Sequence, residues 1–226
     1  MRYSSAHDMH PLGTLWLLNL DPSSTTEIAP RVSATFQRIG AEEILSLAQV
    51  MGRDETTEVL QRFATGRRCY VARVEGVLVA YGWVSFKEEE IGELRLRVHL
   101  AEGEAYIWDC ATLPAYRGLR LYPALLAYMV NELRTEGFSR IWIGADSDNV
   151  ASQTGIILAG FQPIADIVIA CVVALRRFWI HGQPGVPEHL VMDARRVLFG
   201  ERAFAWLEAV STAKQKRAFE EDSQLR

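Results

Sequence analysis

The stretch that decides the fold reads Trp108-Asp-Cys-Ala-Thr-Leu-Pro-Ala-Tyr-Arg-Gly-Leu-Arg-Leu-Tyr-Pro-Ala-Leu-Leu126. It begins with strand-forming residues, is interrupted at Pro114, continues as a turn that contains Arg117 and Gly118, and enters a helix at about Tyr122. A strand, a basic glycine turn and the first turn of a helix together present backbone N–H groups and the positive end of a helix dipole to an anion. The stretch therefore predicts a binding site for a pyrophosphate group.

The same segment resembles the acyl-CoA loop of the GNAT acyltransferases. That loop carries Arg or Gln, two free positions, Gly, one free position and then Gly or Ala, followed by a helix with a Leu-Leu pair. Arg117, Gly118 and the pair Leu125-Leu126 fit this pattern, whereas Arg120 and Tyr122 stand where the family usually has glycine or alanine. If Arg120 takes a positive φ angle, we expect a strain cost of roughly 1 kcal/mol.

A second signature of the GNAT family lies further along the chain. In that signature an Asn and a small residue precede a helix that ends in Gly-Phe, and here Asn149, Ser152 and Gly160-Phe161 stand at those positions. The two signatures, in this order, extend the resemblance over about residues 31–175. The resemblance implies acyl transfer with acetyl-CoA or another acyl-CoA as the co-substrate, and no metal.

The resemblance also implies which residues contact the cofactor. The guanidinium group of Arg117 and the loop backbone would hold the pyrophosphate, and the end of the preceding strand would bind the pantetheine arm as an added strand and polarise the thioester. Asn149 would bond the arm from the opposite side. The expected acyl-CoA contacts are therefore Ala111, Thr112, Leu113, Arg117, Gly118, Leu119, Arg120, Leu121, Tyr122, Asn149 and Ser152.

Two carboxylates are candidates for the general base that takes the proton of the attacking amine. Glu104 begins the strand on the face that it shares with Thr112. Asp109 is nearer to the expected thioester but lies on the other face of a regular strand, so only a β-bulge would turn it inward. The alternatives are that Glu104 is a solvated residue at the start of the strand and that Asp109 pairs with an arginine or caps a bend.

The acid that would protonate the departing CoA thiolate is not at its usual place. Many GNAT enzymes have a Tyr seven residues after the signature Asn, and this chain has Ile156 there. Tyr122 or Tyr106 could substitute, and the thiolate could also leave without an acid at a lower rate. We interpret Cys110 as a small core residue rather than a nucleophile, because no His stands near it in the sequence.

Composition excludes several other classes of function. The 226 residues are 49% hydrophobic, and 24 basic against 28 acidic residues give a net charge of −4, which is no electrostatic footprint for nucleic acid. No apolar run approaches the ~20 residues of a membrane helix. Three scattered cysteines and five histidines without ligand spacing predict neither a disulfide framework nor a metal site, and we expect a reduced, cytoplasmic location.

The predicted elements follow the order strand, two helices, three or four antiparallel strands, helix, strand, helix, strand. This order predicts an α+β protein with mixed α/β layers. The resemblance makes its core a mostly antiparallel, V-splayed sheet flanked by helices. We expect an N-terminal extension at residues 1–30, in which residues 15–20 could add a strand, an acyltransferase domain at residues 31–175, and a C-terminal strand and helical addition at residues 176–226 packed on the same domain.

The leading functional hypothesis is an N-acyltransferase, in the simplest case an N-acetyltransferase. It would transfer an acyl group from acyl-CoA to the primary amine of a small molecule by direct attack. The alternatives are a non-catalytic acyl-CoA or ligand-binding protein of the same fold, and an N-acyltransferase whose donor is an acyl carrier protein. The apolar strand at residues 167–173 could pair across a homodimer, although burial under the added helices explains it equally well.

Overall fold

The computed structural model describes residues 11–21, 25–52, 56–91, 96–172 and 175–200. The elements in chain order are β1 (Pro11–Asn19), β2 (Thr35–Ile39), α1 (Ile44–Met51), α2 (Thr57–Ala64), β3 (Arg68–Val74), β4 (Val77–Ser85), β5 (Glu88–Ile91), β6 (Leu96–His99), β7 (Glu104–Thr112), α3 (Leu121–Thr135), β8 (Arg140–Asp146), α4 (Val150–Leu158), β9 (Gln162–Val172) and β10 (Leu175–Gly182). A further helix, α5, is described at residues 188–200.

Eight strands form one sheet in the order β10-β9-β1-β8-β7-β4-β3-β2, and β5 pairs with β6 in a separate hairpin. Neighbouring strands of the large sheet are antiparallel except for β7 and β8, which are parallel. The parallel pairing ends where Ile107 lies opposite Ile143. Beyond that point the two strands separate, and we call the gap between residues 108–112 of β7 and residues 144–146 of β8 the fork.

Helices cover both faces of the large sheet. On one face α3 and α4 pack through fully buried residues such as Leu125 and Ile156. On the other face α1 and α2 pack against β3 and β4 through Leu47 and Val59, while α5 and β6 cover the strands around Trp142. The fork therefore lies at the centre of the sheet and is approached from both layers.

Most elements lie where the sequence predicts them, and the predicted fold class is confirmed. The strand predicted at residues 104–112 is β7. Two β-rich runs joined by Glu75-Gly76 predict a hairpin, which β3 and β4 form, and the φ angles of 51° and 81° at these residues are those of a two-residue hairpin turn. The alternation of Val32, Ala34 and Phe36 predicts a strand there, whereas β2 lies at Thr35–Ile39. Strand β5 was not predicted, since three of its four residues are glutamates, which are rare in strands.

Strand β1 confirms that the N-terminal segment adds a strand, and it does so in the interior of the sheet, between β8 and β9. Leu15 and Leu17 face one helical layer and Trp16 the other, and all three are almost fully buried. A strand that is covered on both faces needs a continuous apolar run, which is what these residues supply.

Strand β9, whose apolar run suggested a dimer contact, is paired along one edge with β1 and along the other with β10. Both edges of β9 are therefore paired within the chain, so β9 cannot pair with its copy in a second subunit. A homodimer stays a prediction. The sequence also predicts Asp54 as the N-cap of a helix and a last helix with Phe204, Leu207 and Val210 on its apolar face. These residues lie outside the described ranges.

Candidate active site

A β-bulge in β7 brings Asp109 to the fork. The register with β4 shifts between Tyr81 and Trp83, so that Gly82 lies opposite both Asp109 and Cys110. Asp109 has a φ angle of 42°, a conformation that few residues other than glycine adopt. Gly82 makes room for the bulge, because a Cβ atom there would lie 2.8 Å from the sulfur of Cys110. This is the bulge that a catalytic role for Asp109 requires.

Two side chains hold the carboxylate of Asp109. Arg62 Nη1 from α2 donates to Asp109 Oδ2 at 2.5 Å, and the hydroxyl of Tyr81 donates to Asp109 Oδ1 at 3.3 Å. The side chain of Asp109 nevertheless keeps 25% of its surface exposed. Asp109 therefore combines the two interpretations that the sequence leaves open: it pairs with an arginine, and it also faces the open space of the site.

Arg62 is itself fixed from several sides. Glu58, one helical turn earlier, accepts a hydrogen bond from Arg62 Nη2 at 2.8 Å. The guanidinium carbon lies 5.1 Å from the ring centre of Trp83 and 4.5 Å from that of Trp108, so the cation lies over the faces of two indoles. Arg62 is buried. Its position is thus set by α2 and the two tryptophans, and it in turn sets the position of the Asp109 carboxylate.

The predicted acyl-CoA loop has two residues in the left-handed region, Gly118 with a φ angle of 77° and Arg120 with a φ angle of 58°. Arg120 caps α3 in this conformation, which carries the strain of roughly 1 kcal/mol expected from the sequence. Arg31 binds the carbonyls of the loop: its backbone N–H donates to Leu119 O at 2.8 Å and its guanidinium to Gly118 O at 3.2 Å. Arg31 therefore fixes the loop through the carbonyl groups of Gly118 and Leu119.

The N–H groups of this loop remain open. Within the described part of the chain, no backbone N–H group of residues 118–122 donates a hydrogen bond, as expected at the start of a helix. Arg117 Nε donates to Thr112 O at 3.2 Å, so its guanidinium group lies beside the end of β7. Open N–H groups and the positive end of a helix dipole are features that favour an anion.

The fork contains a cleft of 280 Å³ lined by Asp109, Cys110, Tyr122, Asn149 and Ser152, among others. The hydroxyls of Tyr122 and Ser152 lie 3.2 Å apart and join α3 to α4 across this cleft. Asn149 Oδ1 accepts the backbone N–H of Ser152 at 3.0 Å and caps α4, whereas Asn149 Nδ2 makes no hydrogen bond with a described residue. Asn149 therefore retains a free donor at the mouth of the cleft.

Burial keeps the phenols and the thiol of the cleft protonated. It raises the pKa values of Tyr106, Tyr122 and Cys110 well above their ordinary values, and nearby acidic groups raise them further. A phenol with a raised pKa stays a hydrogen-bond donor at neutral pH. A thiol with a raised pKa is a poor nucleophile, which argues against covalent catalysis by Cys110. The prediction of a core position holds only in part, because Cys110 is half-buried and lines the cleft.

A larger cavity of 1020 Å³ adjoins the cleft, and we call it the outer cavity. The cleft and the outer cavity share Ile91, Trp108, Asp109 and Asp146 in their linings. Among the described residues, the outer cavity is lined by two guanidinium groups and six carboxylates, which are those of Arg62, Arg67, Glu58, Glu89, Glu90, Asp109, Asp146 and Asp148. The net negative charge favours a cationic occupant.

Glu104 lies outside this site. It is 3% exposed, accepts hydrogen bonds from Arg196 Nη2 at 2.6 Å and from the backbone of Ala101 at 2.9 Å, and pairs with Arg140 at 3.3 Å. Asp109 is five residues further along β7, which is about 16 Å on an extended strand. The prediction that Glu104 is a solvated residue is wrong, and its place as the base is not supported, because its carboxylate joins α5 to the start of the sheet.

The other predicted contacts gather around the fork. Beyond Ile107 the edge of β7 that faces away from β4 is unpaired within the described chain, so Ala111 and Thr112 lie on an edge that an added strand could use. Leu113 differs, because its N–H donates to Val79 O at 2.8 Å. Ile156, at the usual acid position, is fully buried in the core.

Arg31, Arg62 and Tyr81 were not predicted as site residues. The spacing of Glu58 and Arg62 by four residues predicts only an ordinary ion pair on a helix, and the sequence contains no signal that the bulged Asp109 would be its second partner. Among the described residues, no cluster of His, Cys, Asp and Glu could hold a metal ion, and none of the described helices is long and apolar enough to cross a membrane.

Several solved structures that are similar to this chain are described as acetyltransferases. A GNAT-family acetyltransferase from Colwellia psychrerythraea is 16% identical over 78% of this chain and 58% of its own, with a TM-score of 0.49. This chain therefore spans little more than half of that protein. An acetyltransferase from Clostridium acetobutylicum, solved with acetyl-CoA, is 16% identical over 57% of this chain and 90% of its own, with a TM-score of 0.43.

An aminoglycoside acetyltransferase from an uncultured soil metagenomic sample, solved with sisomicin, is 14% identical over 55% of this chain and 86% of its own, with a TM-score of 0.44. No curated protein matches the chain at a significant level. The family model described as the acetyltransferase (GNAT) family matches residues 34–154, which is just over half of the chain and includes the bulge, the loop and the start of α4. The chain belongs to the GNAT acetyltransferase family.

Proposed function

We propose that the protein transfers an acyl group from acyl-CoA to the primary amine of a small molecule. The observation that carries this proposal is the continuity of three parts: the open N–H groups at the start of α3, the cleft in the fork, and the outer cavity that meets the cleft at Asp109. The N–H groups suit the phosphates of the donor, the cleft suits its thioester, and the outer cavity suits the acceptor. The thioester would therefore lie between the donor phosphates and the acceptor, as acyl transfer requires.

The donor would bind from the α3 side. The N–H groups of residues 118–122, with Arg117 and Arg120, would hold the pyrophosphate of acyl-CoA. The unpaired edge of β7 at Ala111 and Thr112 and the free Nδ2 of Asn149 would hold the pantetheine arm, with Ser152 beside it. The thioester would then lie in the fork beside the bulge.

The acceptor would bind in the outer cavity. An amine is a cation at neutral pH, and the excess of carboxylates in this cavity favours a cation. Asp109 faces both cavities and would take the proton that the ammonium must lose before its nitrogen can attack the thioester carbonyl. Arg62 and Tyr81 would act as positioning residues, because they fix the carboxylate without lining the cleft.

The leaving thiolate needs a proton, and Tyr122 would supply it. The Tyr122 hydroxyl lies in the cleft against Ser152, and burial keeps it protonated. The thiolate would form in the same desolvated cleft, where the pKa of a thiol is raised in the same way as that of a phenol. Tyr122 would thereby take the role that residue 156 cannot fill in this chain.

A second candidate function is binding of acyl-CoA without catalysis. The ion pair between Arg62 and Asp109 favours it, since an arginine already occupies the candidate base. One experiment distinguishes catalysis from binding without catalysis. Purified protein is mixed with acetyl-CoA and a panel of diamines, polyamines, aminoglycosides and amino acids, and thiol release is followed. Turnover with any amine supports transfer, whereas binding of acetyl-CoA without release across the panel supports the second function.

A further inference from the structure

The phenol of Tyr106 lines the cleft, and its hydroxyl has no hydrogen-bond partner among the described residues. As a whole residue, Tyr106 is 5% exposed. Its hydroxyl lies against the backbone of Gly144, where a Cβ atom would be only 3.0 Å from Tyr106 Oη. Gly144 directly follows Ile143, the last residue of β8 that pairs with β7, so the hydroxyl lies at the base of the fork.

A hydroxyl that faces a cleft and makes no hydrogen bond with a described residue keeps its donor available to a ligand. A ligand acceptor at this position would take the place of solvent. Burial, with a smaller contribution from Glu89, raises the pKa of Tyr106, so the hydroxyl remains protonated and offers a donor. The ligand atom that fits is therefore a hydrogen-bond acceptor that reaches the base of the fork.

The two phenols of the cleft come from opposite faces of the sheet. Tyr106 belongs to the layer covered by β6 and α5, whereas Tyr122 packs with the α3 and α4 layer. Both line the cleft beside Asp109 and Cys110. A group that enters the fork between them meets one phenol from each side, so the two hydroxyls are suited to two different atoms of the same ligand.

We propose that Tyr106 donates a hydrogen bond to the carbonyl oxygen of the bound thioester and to the oxyanion that this oxygen becomes. The inference rests on the proposed function, since it takes acyl-CoA as the ligand of the fork. Tyr106 is then a catalytic residue in addition to the backbone N–H groups of β7, and its hydroxyl is pre-positioned because the bulk of the ring is locked in the core.

In the reaction, the nitrogen lone pair of the amine forms a C–N bond to the thioester carbon. The π electrons of the carbonyl move to its oxygen, and the resulting oxyanion accepts the Tyr106 O–H. When the intermediate collapses, the C–S bond breaks and the thiolate takes a proton from Tyr122. Asp109 takes one proton from the bound ammonium before the attack and releases it to solvent in the outer cavity. It then takes the second proton from the nitrogen of the intermediate, and this proton returns through solvent to the Tyr122 phenolate. Tyr106 keeps its own proton throughout.

The test compares wild-type protein with Tyr106→Phe, and uses Tyr128→Phe as the matched control. Tyr128 lies on α3 against Phe36 and Tyr70, outside the lining of both cavities. The probe is acetyl-CoA labelled with ¹³C at the thioester carbonyl. Difference infrared spectroscopy reports the strength of the hydrogen bond to that carbonyl without requiring the acceptor amine.

The expected result is that the carbonyl band of bound acetyl-CoA lies at a lower wavenumber in wild type and in Tyr128→Phe, and shifts back toward its value in water or above it in Tyr106→Phe. With an accepted amine, kcat of Tyr106→Phe should fall by about 10²-fold or more, as on loss of an oxyanion donor, with little change in KM for acetyl-CoA. The melting temperature should not fall, because the hydroxyl makes no hydrogen bond with any of the residues that the structure describes.

An unchanged carbonyl band and an unchanged kcat in Tyr106→Phe would overturn the inference and leave the proposed function intact. A fall in melting temperature with kcat unchanged would also overturn it, since the hydroxyl would then serve the fold. If wild type binds no acetyl-CoA in the same titration, the proposed function fails and this inference fails with it.

Discussion

The ring of Tyr122 fills the space that a side chain at position 155 would need: a Cβ atom on Gly155 would lie 2.4 Å from Tyr122 Cδ1. A glycine inside a helix costs about 1 kcal/mol relative to alanine, and α4 has one here because the start of α3 carries a tyrosine where the family usually has glycine or alanine. The tyrosine at position 122 and the glycine at position 155 therefore belong to one packing contact between α3 and α4.

The first prediction concerns this contact. Gly155→Ala should lower the free energy of unfolding by about 1–3 kcal/mol, because overpacking against the Tyr122 ring exceeds the gain in helix propensity. Urea unfolding measures the change. In a Tyr122→Ala background the same substitution should become neutral or stabilising, so an equal loss in both backgrounds would contradict the contact.

The second prediction separates the two candidate bases by kinetics. Asp109→Asn should lower kcat by about 10²–10⁴-fold, the usual effect of removing a general base, and leave the Kd of acetyl-CoA within a few fold. Thiol release and calorimetry on the same preparation measure the two quantities. Retention of kcat in Asp109→Asn would remove Asp109 from the mechanism.

The third prediction is the complementary one for Glu104. Glu104→Gln should lower the free energy of unfolding by about 1–2 kcal/mol, since it removes one of the two carboxylates that Arg140 and Arg196 share and leaves them Asp193. Its kcat should equal that of wild type. A Glu104→Gln variant with the stability of wild type and a lower kcat would contradict this prediction and support Glu104 as the base.

The fourth prediction concerns the backbone of the loop. Arg120→Gly should raise the free energy of unfolding by about 0.5–1 kcal/mol, because it relieves a left-handed arginine at some entropic cost. Gly118→Ala should lower it by about 1 kcal/mol for the opposite reason. Thermal unfolding tests both, and a destabilised Arg120→Gly would mean that contacts of the arginine outweigh the strain.

The fifth prediction is a loss of stability in alkali. Burial raises the pKa values of Cys69, Cys110, Tyr106 and Tyr122 in the folded state. Their contribution is therefore complete below the unfolded pKa values, about 8.5 for Cys and 10 for Tyr, and is lost as the pH rises through the folded values. Each group steepens the fall by up to about 1.4 kcal/mol per pH unit.

Urea unfolding between pH 7 and 11 measures this loss. Above about pH 8.5, the ordinary pKa of a thiol, the free energy of unfolding should fall less steeply with pH in Cys110→Ala than in wild type, because one titrating group is missing. Tyr128→Phe changes a tyrosine that is less buried than Tyr106 or Tyr122, and it should reduce the slope less than Tyr106→Phe does. Identical slopes in wild type and Cys110→Ala would show that the thiol titrates normally in the fold.

The sequence predicts the parts of the fold that follow from local pattern. The strand β7, the glycine turn and the apolar face of α3 are all determined by residues close together in the chain, and they lie where the pattern places them. The interior position of β1 could not be predicted in the same way, because the alternation of its residues is compatible with several neighbours and only the sheet selects β8 and β9.

In the candidate site, too, residues within a short motif can be predicted, whereas contacts between distant residues cannot. Arg117, Gly118 and Asn149 are recognisable because a short motif carries each of them. The partnership of Asp109 with Arg62 joins residues that are far apart in sequence, and it depends on a bulge that no local signal announces. Glu104 is a candidate base in the sequence, and the sequence has no signal that Arg140 and Arg196 converge on it in three dimensions.

The most direct test of the account is isothermal titration calorimetry of acetyl-CoA and of a long-chain acyl-CoA with wild type, Arg117→Ala and Arg97→Ala. Arg97 is an exposed arginine on β6 and serves as the control for loss of one positive charge. Wild type and Arg97→Ala should bind alike, and Arg117→Ala should lose about 1.5–3 kcal/mol, as for a charged hydrogen bond. Equal binding by all three proteins, or no binding of either donor by wild type, would contradict a pyrophosphate site at the start of α3.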